Sequence, residues 1–454
     1  MKLFWKIMLA ALLIISLFGA FLPVNVQLNT GGPVNPADVA WMLTATGLVL
    51  LMTPGLSFFY GGMVSSKNII STMLQSFIAM GVISILWIFV GFSLAFGKDI
   101  GGIIGNPLTF FMFSGVGLKT DPMLAPTIPL LLFALFQLKF AIITPALITG
   151  SFAERVKFSS YIIFMILFSL FIYAPLAHMT WHPDGILKRL GVLDFAGGTV
   201  VHISAGVAAL AGAIKLGRRK SHLTGEKHSP ANIPYVLLGT GLLWFGWFGF
   251  NAGSALGANA TAVLAFATTN TASAAAAIAW IIIDAIQGRK PSALGACVGA
   301  VVGLVAITPA AGYVDIGASI FIGTAASMIS NLAVSWKSKS SLDDTLDVFP
   351  CHGLGGIVGM ILTAVFAQKA GLIYGHPELL LAHIIGLILV IAFTFGGSFL
   401  LYKITDLITP LRVTEEQELT GLDLSQHGES IISKPMQEEF FLEQKINEIL
   451  VEKN

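Results

Sequence analysis

Runs of about twenty apolar residues recur from one end of this sequence to the other, and they constrain its fold more than any other feature. A run of roughly this length is what an α-helix needs to cross the hydrocarbon core of a bilayer. Hydrophobic residues make up 55% of the chain and charged residues 11%, whereas soluble domains carry roughly 25% charged residues. The sequence therefore predicts an all-α polytopic membrane protein, because a large soluble helical protein does not explain the repeated runs.

Net charge and cysteine usage narrow the class of protein further. The formal net charge is +1, so no nucleic-acid partner is indicated. The two cysteines, Cys297 and Cys351, both lie in apolar segments and show neither a disulfide framework nor the spacing of a zinc site. We therefore predict no metal and no cofactor.

The N-terminal segment MKLFWKIMLAALLIISLFGAFL has a basic start and a short apolar core. This arrangement is typical of a signal peptide, which we predict for residues 1–22. Phe18 stands where a small residue is expected before a cleavage site at Ala20. A helix retained in the mature protein is therefore the alternative.

Eleven apolar spans follow the N-terminal segment. We predict that residues 39–408 form the transmembrane domain and that residues 409–454 form a tail. Many spans are rich in Gly, Ala and Ser, which let helix backbones approach closely in lipid. The approximate centres of the spans are Leu50, Ser84, Ala141, Leu167, Val207, Leu242, Ala275, Val301, Ala325, Gly359 and Leu389.

Basic residues are unevenly distributed between the loops at the two ends of these spans. Cytoplasmic loops of membrane proteins carry an excess of Lys and Arg, so we predict a multi-pass protein of the cell membrane with its N-terminus outside and its tail in the cytoplasm. With that orientation the outer loops hold only Lys98, Lys119, Lys188, Arg189 and Lys369. The inner loops hold Lys67, Arg155, Lys157, Lys215, Arg218, Arg219, Lys220, Lys227, Arg289, Lys290, Lys337 and Lys339.

Two stretches combine an aspartate, a histidine and a glycine run: DFAGGTVVHISAG from Asp194 and DVFPCHGLGGIVG from Asp347. They fall on the fifth and tenth spans, which are five spans apart; because five is an odd number, the two spans run in opposite directions. Corresponding motifs on antiparallel helices are typical of an inverted repeat with a shared site at its interface. We predict that spans 1–5 and 6–10 form this repeat and that the eleventh is an extra helix.

Only two of the nine histidines, His202 and His352, lie well inside spans. An ionisable residue at membrane depth is a functional candidate by default. The simpler interpretation is that each imidazole only hydrogen-bonds a neighbouring helix. The corresponding positions of the two histidines in the two repeats favour a shared functional role.

Asp194 and Asp347 open the fifth and tenth spans. An aspartate at the start of a helix caps free N–H groups and complements the positive end of the helix dipole. We expect this structural role of both residues. A negative charge at the mouth of a pore would in addition favour cations.

Aromatic residues indicate which kind of cation. The stretch GWFGFNAGS places Trp247, Phe250 and Ser254 near the outer end of the sixth span. Phe140 lies in the third span, and Trp181 is predicted in an outer loop. Aromatic faces attract desolvated cations by about 0.5–2 kcal/mol each, and a cage with one hydroxyl suits a small cation that donates hydrogen bonds. Packing or lipid contact explains any single phenylalanine equally well.

Several longer motifs accompany these residues. They are FFYGGMV at Phe58, AERVKF at Ala153, AHMTW at Ala177, DFAGGTVVH at Asp194, GWFGFNAGS at Gly246, GACVGA at Gly295, DVFPCHGLGGIVG at Asp347 and RVTEEQELTGLDLSQHGE at Arg412. Together they closely resemble the ammonium transporter family (Amt/Mep/Rh), on the Amt side. The resemblance runs from about Trp41 to Glu429.

The resemblance implies a homotrimer in membrane lipid, with one pore for ammonium or ammonia through each subunit and no enzymatic activity. By this resemblance Trp181, Phe140 and Ser254 would form an outer ammonium site. Asp194 would support that site.

The same resemblance implies the rest of the pore. Phe140 and Phe250 would be a stacked gate below the outer site, and Trp247 would line the pore. His202 and His352 would span a dry conduction path.

The cytoplasmic loops and the tail would form a platform for a trimeric PII-type nitrogen-regulatory protein, by the same resemblance. The loop from Lys215 to Lys227 is basic and the tail acidic, so we expect them to pack together. Beyond Glu429 the chain continues as either a solvated tail or a docking helix. Lys139 is expected to extend away from the pore or to pair at a subunit interface.

Two other functions compete with transport. The first is an ammonium sensor that signals through its tail while conducting little. The second is an intramembrane metalloenzyme with His202, His352 and the two aspartates as ligands. Each aspartate lies five or more residues from its histidine and no third ligand sits deep in a span, which argues against a metal site.

Overall fold

The computed structural model describes residues 2–21, 32–225 and 229–431. Within these ranges the chain is mostly helical, as predicted, and long apolar helices pack against one another. Two short antiparallel strand pairs interrupt the helices: β1 (Asp99–Ile100) with β2 (Ile104–Gly105), and β3 (Thr120–Asp121) with β4 (Ala125–Pro129).

Seventeen α-helices make up the described chain. They are α1 (Lys2–Phe21), α2 (Pro36–Met63), α3 (Ile69–Leu86), α4 (Phe92–Phe96), α5 (Leu130–Ile148), α6 (Phe158–Phe168), α7 (Ala174–Trp181), α8 (Ile186–Arg189), α9 (Ser204–Leu216), α10 (Lys220–Thr224), α11 (Ile233–Gly253), α12 (Ala260–Ile286), α13 (Ala293–Ile307), α14 (Ile316–Lys337), α15 (Gly355–Phe366), α16 (Pro377–Ile408) and α17 (Glu415–Thr420). Segments of π-helix cover Trp87–Gly91, Ser169–Tyr173, Gly198–Ile203, Phe349–Leu354 and Asp423–His427. Short 3-10 turns cover Phe111–Phe113, Thr149–Ser151 and Leu372–Tyr374.

Eleven helical stretches among the described residues are long and apolar enough to cross a membrane. Ten of them coincide with spans predicted after Trp41, and the predicted eighth span is the shorter apolar helix α13. The remaining stretch, Leu3–Phe21, lies in the segment predicted as a signal peptide and is not buried against the rest of the protein. Whether this segment is removed stays a prediction.

Small residues let α12, α13 and α14 approach closely. A side chain added at Gly303 or at Gly323 would meet the carbonyl oxygen of Ala272. The Ser273 hydroxyl donates a hydrogen bond of 3.1 Å to the carbonyl oxygen of Ala300 on the neighbouring helix. Close packing therefore explains these glycines, as the sequence predicted.

Residues 410–431 lie across the loops at one end of the helices. The Asp423 carboxylate accepts hydrogen bonds of 3.0 and 2.7 Å from two N–H groups of α3. The Lys220 ammonium pairs with Glu415 at 2.5 Å. The backbone N–H group of Lys220 donates to the Glu418 carboxylate at 2.7 Å. The basic loop and the acidic tail are thus in contact, as expected from their charges.

A buried charge cluster lies beneath the tail and joins three loops. Arg219 donates to Glu154 at 2.6 Å and to Asp343 at 3.0 Å, while Arg155 donates to the carbonyl oxygen of Asp343 at 2.6 Å. Burial opposes ionisation of Asp343, but Arg155 and Arg219 hold its pKa well below the usual range. The cluster therefore remains charged and fixes the loops on which the tail rests.

Candidate functional site

Asp194 caps the fifth span, as its position predicted. One carboxylate oxygen accepts from the N–H groups of Gly197 and Gly198 at 2.8 and 2.7 Å. The other accepts from the N–H group of Thr199 at 2.7 Å and from its hydroxyl. Gly197 has φ +120° and permits this turn. Both oxygens are thus occupied, so Asp194 acts on its surroundings through charge rather than as a free ligand.

The tenth span begins differently from the prediction. Asp347 does not cap it: its carboxylate pairs with Lys337 at 2.7 Å, and its own φ of 59° turns the chain there. Asp344 is the cap, accepting from the N–H groups of Val348 and Phe349 at 3.1 and 2.8 Å. Burial raises the pKa of Asp344 to about 6.

Asp344 was missed, although the spacing could have found it. It lies eight residues before His352, as Asp194 lies eight before His202. Asp347 was expected to be the cap because it begins the stretch that contains the histidine. The equal spacing supports the predicted equivalence of the two spans.

His202 and His352 meet where two interrupted helices cross. Both rings are buried, their centroids lie 5.5 Å apart at an interplanar angle of 26°, and their Nδ1 atoms are 3.3 Å apart. A side chain at Gly206 would strike the backbone at Gly353, and one at Gly356 would crowd the Cβ of His202. Each histidine is thus followed four residues later by a glycine that lets the two helices approach.

A column of aromatic rings leads to this pair. Phe140 and Phe250 stack with their centroids 4.1 Å apart. Phe250 lies 5.6 Å from Trp247, whose ring stacks on His202 at 5.3 Å. The Trp247 indole N–H donates to the hydroxyl of Thr308 at 2.9 Å, which fixes the ring.

A vestibule of about 230 Å³ lies on the far side of the two phenylalanines. Trp181 meets Phe140 edge-on at 5.9 Å and donates its indole N–H to the carbonyl oxygen of Asp194 at 3.2 Å. Trp181 is the last residue of α7, not a loop residue as predicted. Ser254 also lines the vestibule, and its hydroxyl donates to the carbonyl oxygen of Phe250 at 2.8 Å.

Two narrower cavities follow in the same direction. The first, of about 10 Å³, extends from Phe250 past His202 to His352, and almost all of its other lining side chains are apolar. The second, also of about 10 Å³, shares His352 and continues past Cys351. The eight predicted site residues therefore line one path, which is wide and polar at the vestibule and narrow and apolar beside the histidines.

Comparisons with known proteins identify the family of this chain. The model of the Ammonium Transporter Family matches residues 40–431. An ammonium transporter of Aquifex aeolicus is 48% identical over 426 residues, which cover 92% of this chain and 97% of that protein. This chain belongs to the ammonium transporter family.

Two solved structures extend the likeness to the fold. Saccharomyces cerevisiae Mep2 has a TM-score of 0.80 and 34% identity, over 86% of this chain and 90% of that one. A protein described as a Sensor Amt Protein has a TM-score of 0.79 and 32% identity, over 86% of this chain and 98% of that one. The family comprises transporters rather than enzymes, which confirms the expected lack of enzymatic activity and identifies a multi-pass membrane protein.

Lys139 lies on the same helix as Phe140 but does not line the vestibule or the narrower cavities. Its side chain is half-buried and makes no hydrogen bond or ion pair to the residues described. The repulsion expected of a pore-facing lysine in an ammonium transporter therefore does not arise from Lys139.

His383 is a buried histidine that the sequence analysis did not count among those well inside spans. It lies inside α16, with Nδ1 2.8 Å from the carbonyl oxygen of Met360 and Nε2 accepting from the N–H group of Leu193 at 3.0 Å. Both ring nitrogens are therefore engaged. The contact anchors the residue directly before Asp194, which makes His383 a positioning residue for this transporter.

No group of three or more His, Cys, Asp and Glu side chains within residues 2–21, 32–225 and 229–431 could hold a metal ion. His202 and His352 face each other, while the carboxylate of Asp194 caps a helix and that of Asp347 pairs with Lys337. The metalloenzyme hypothesis therefore has no ligand set in the described chain.

Proposed function

We propose that this protein takes up ammonium across the cell membrane through a pore in each subunit of a homotrimer. The N-terminus lies outside and the tail in the cytoplasm. One observation carries the proposal: the Phe140–Phe250 stack separates an open vestibule from the buried His202–His352 pair, so that one path joins all three.

The outer site binds the ammonium ion before it loses its proton. The faces of Trp181 and Phe140 attract the cation, each by about 0.5–2 kcal/mol. Because the Ser254 hydroxyl donates its own proton to a carbonyl oxygen, its lone pairs are free to accept an N–H group. Asp194 adds a negative charge behind the site without contacting the ion.

The phenylalanine pair marks the point where the intact ion stops. Moving a bare ammonium ion into a low dielectric costs on the order of 20 kcal/mol by the idealised Born estimate, which aromatic contacts do not offset. Phe140 and Phe250 close the path against water, and Trp247 keeps the lumen narrow beyond them. The ion therefore gives up its proton at this gate and ammonia crosses the apolar lumen.

The two histidines conduct the proton that ammonia leaves behind. A neutral imidazole accepts a hydrogen bond at one nitrogen and donates at the other. The Nδ1 atoms of His202 and His352 lie 3.3 Å apart, so the pair holds one shared proton and passes it along the path. Two imidazolium charges at this distance are excluded by their mutual repulsion.

An ammonium jump applied to reconstituted liposomes on a solid-supported membrane tests the proposal. We expect a current with ammonium, none with an equal potassium jump, and none with empty liposomes. An ammonium current that potassium reproduces would contradict a selective path through the histidines.

The cytoplasmic platform is proposed as the docking surface of a PII-type nitrogen-regulatory protein. The contacts of Asp423 with α3 and of Glu418 with Lys220 support this proposal, because they couple the tail to the loops. A pull-down with the full-length transporter and a purified PII protein tests it. Binding lost on removal of the tail supports the assignment.

A sensor that signals through its tail is the second candidate, favoured by the likeness to the protein described as a Sensor Amt Protein. The two functions differ in turnover. A sensor binds ammonium at the outer site and gives only a brief binding current, independent of the lipid-to-protein ratio. A transporter gives a current that decays faster as more protein is present in each liposome.

A further inference from the structure

Lys188 is a cation at the entrance to a cation path. It lies on α8 and lines the same vestibule as Trp181, Phe140 and Ser254. Its side chain is exposed and makes no hydrogen bond or ion pair to the residues described. Unlike Lys139, it is therefore an unneutralised positive charge in the space through which the substrate arrives.

The position of Lys188 is set by the fold of its loop. The N–H group of Ile186 donates to the carbonyl oxygen of Gly102 at 2.8 Å, which ties α8 to the β1–β2 hairpin. Leu187 is buried, and its carbonyl oxygen accepts from the N–H group of Val192 at 3.1 Å. The backbone that carries Lys188 is thus held on both sides, so the charge stays at the mouth.

Asp194 is the other charged residue that lines the vestibule, but it does not neutralise Lys188. Both of its oxygens accept from the N–H groups of Gly197, Gly198 and Thr199. Those N–H groups also carry the positive end of the helix dipole, which offsets part of the carboxylate charge. Lys188 is exposed whereas Asp194 is buried, so a cation that arrives from solvent meets the lysine charge first.

We propose that Lys188 is an electrostatic selectivity filter that excludes divalent inorganic cations from the outer site. The repulsion energy is proportional to the charge of the arriving ion. Lys188 lowers the occupancy of the outer site by some factor for ammonium, and by the square of that factor for a divalent cation. A modest loss of ammonium affinity gives a larger exclusion of ions such as Mg²⁺. This inference rests on the proposed outer site and names the residue that sets its selectivity among cations.

The expected magnitudes follow from an exposed charge acting through water over roughly a vestibule's width. If Lys188 weakens the binding of ammonium by a factor of about two to three, it weakens the binding of Mg²⁺ by a factor of about four to nine. The Debye length is about 30 Å at 0.01 M salt and about 3 Å at 1 M. The effect of Lys188 must therefore be present at low ionic strength and vanish at high ionic strength.

Ammonium-evoked current in proteoliposomes, titrated with ammonium and with Mg²⁺, tests the filter. In 0.01 M salt, Lys188→Gln should lower the half-saturating ammonium concentration about two- to threefold and the inhibitory Mg²⁺ concentration about four- to ninefold. Lys188→Glu should exceed both changes, and 1 M sodium chloride should abolish them. Lys119→Gln is the matched control, because Lys119 is also exposed but does not line the vestibule.

The outcomes separate the filter from the function on which it rests. Absence of any ammonium current from the unaltered protein would contradict the proposed transport. A normal current with Lys188→Gln equal to both Lys119→Gln and the unaltered protein at low salt would contradict the filter alone. Changes in Lys188→Gln that persist in 1 M salt would also contradict it, because a screened charge would not be their cause.

Discussion

At the scale of single residues, Asp194 combines a cap with a negative charge. An asparagine at this position keeps one oxygen for Gly197 and Gly198 but turns an amide N–H₂ group toward the N–H of Thr199. A hydrogen bond to a charged group contributes about 1.5–3 kcal/mol. We expect Asp194→Asn to fold and to lose transport about tenfold or more.

Thr199→Ala is the matched control for that substitution. It removes the hydroxyl contacts of Thr199 with Asp194 and with Thr180, and it leaves the charge and the three backbone bonds to Asp194 in place. Initial ammonium uptake and thermal unfolding should be measured for both variants. If Asp194→Asn unfolds earlier but transports at the normal rate, Asp194 is a cap and nothing more.

Asp344 gives stability a dependence on pH. Burial raises its pKa to about 6 in the folded protein, from an ordinary value of 3.8. The folded state therefore binds more protons than the unfolded state between about pH 4 and 6, and stability falls as pH rises through this window. The fall is on the order of 2–3 kcal/mol, since one pKa unit corresponds to about 1.4 kcal/mol.

Asp344→Asn isolates this contribution. Asparagine does not titrate, so its unfolding temperature relative to the unaltered protein should increase from pH 4 to 6 and then level off. Asp315→Asn serves as control, because Asp315 also caps a helix, α14, but from an exposed position. A parallel pH profile for Asp344→Asn and the unaltered protein would contradict the raised pKa.

Residue chemistry predicted the pore histidines because ionisable groups are costly at membrane depth. It did not distinguish which of Asp343, Asp344 and Asp347 caps the tenth span, because the three lie within five positions. Which of them caps the helix depends on where the backbone turns, and the positive φ of Asp347 excludes it from that role. No local pattern in the sequence specifies that turn. The spacing of eight residues between the cap and the histidine, which is the same in both spans, does identify Asp344.

At the scale of elements, we predict that the tail supports both transport and PII binding. Residues 410–431 supply the cap of α3 and two contacts to the loop at Lys220. Truncation after Thr409 removes them all and leaves N–H groups of α3 without partners, which costs about 0.5–2 kcal/mol for a lost cap. We expect altered transport and lost PII binding, with the helices still folded.

Asp423→Asn is the milder variant of the same test, because it retains one acceptor for α3. Transport and PII binding should be measured beside thermal unfolding for both variants. The predicted role of the tail is wrong if the truncation leaves transport and PII binding unchanged.

Long apolar runs predicted ten of the spans, because a bilayer-spanning helix needs length and hydrophobicity alone. They did not predict the π-helical segments at His202 and His352 or the shorter length of α13. These features arise where helices cross and exchange contacts. Periodicity within one segment carries no information on a partner that lies 150 residues away.

At the scale of the whole molecule, the vestibule, the gate and the histidine pair make sense only together. Each feature alone has an ordinary structural explanation: a cap, a ring stack, a buried hydrogen bond. Their order along one path, from about 230 Å³ at the vestibule to about 10 Å³ beside the histidines, is the observation on which the proposal of conduction rests. The central claim is that the histidine pair carries the proton.

Current evoked by an ammonium jump in proteoliposomes measures that claim most directly, with the unaltered protein compared to His202→Ala and His352→Ala. His376→Ala is the matched control, since His376 is exposed and lies off the path. We predict that each pore variant loses the ammonium current or its exclusion of potassium, while the control keeps both. Wild-type current with wild-type exclusion of potassium in both pore variants would contradict the proton relay and leave the histidines as packing residues.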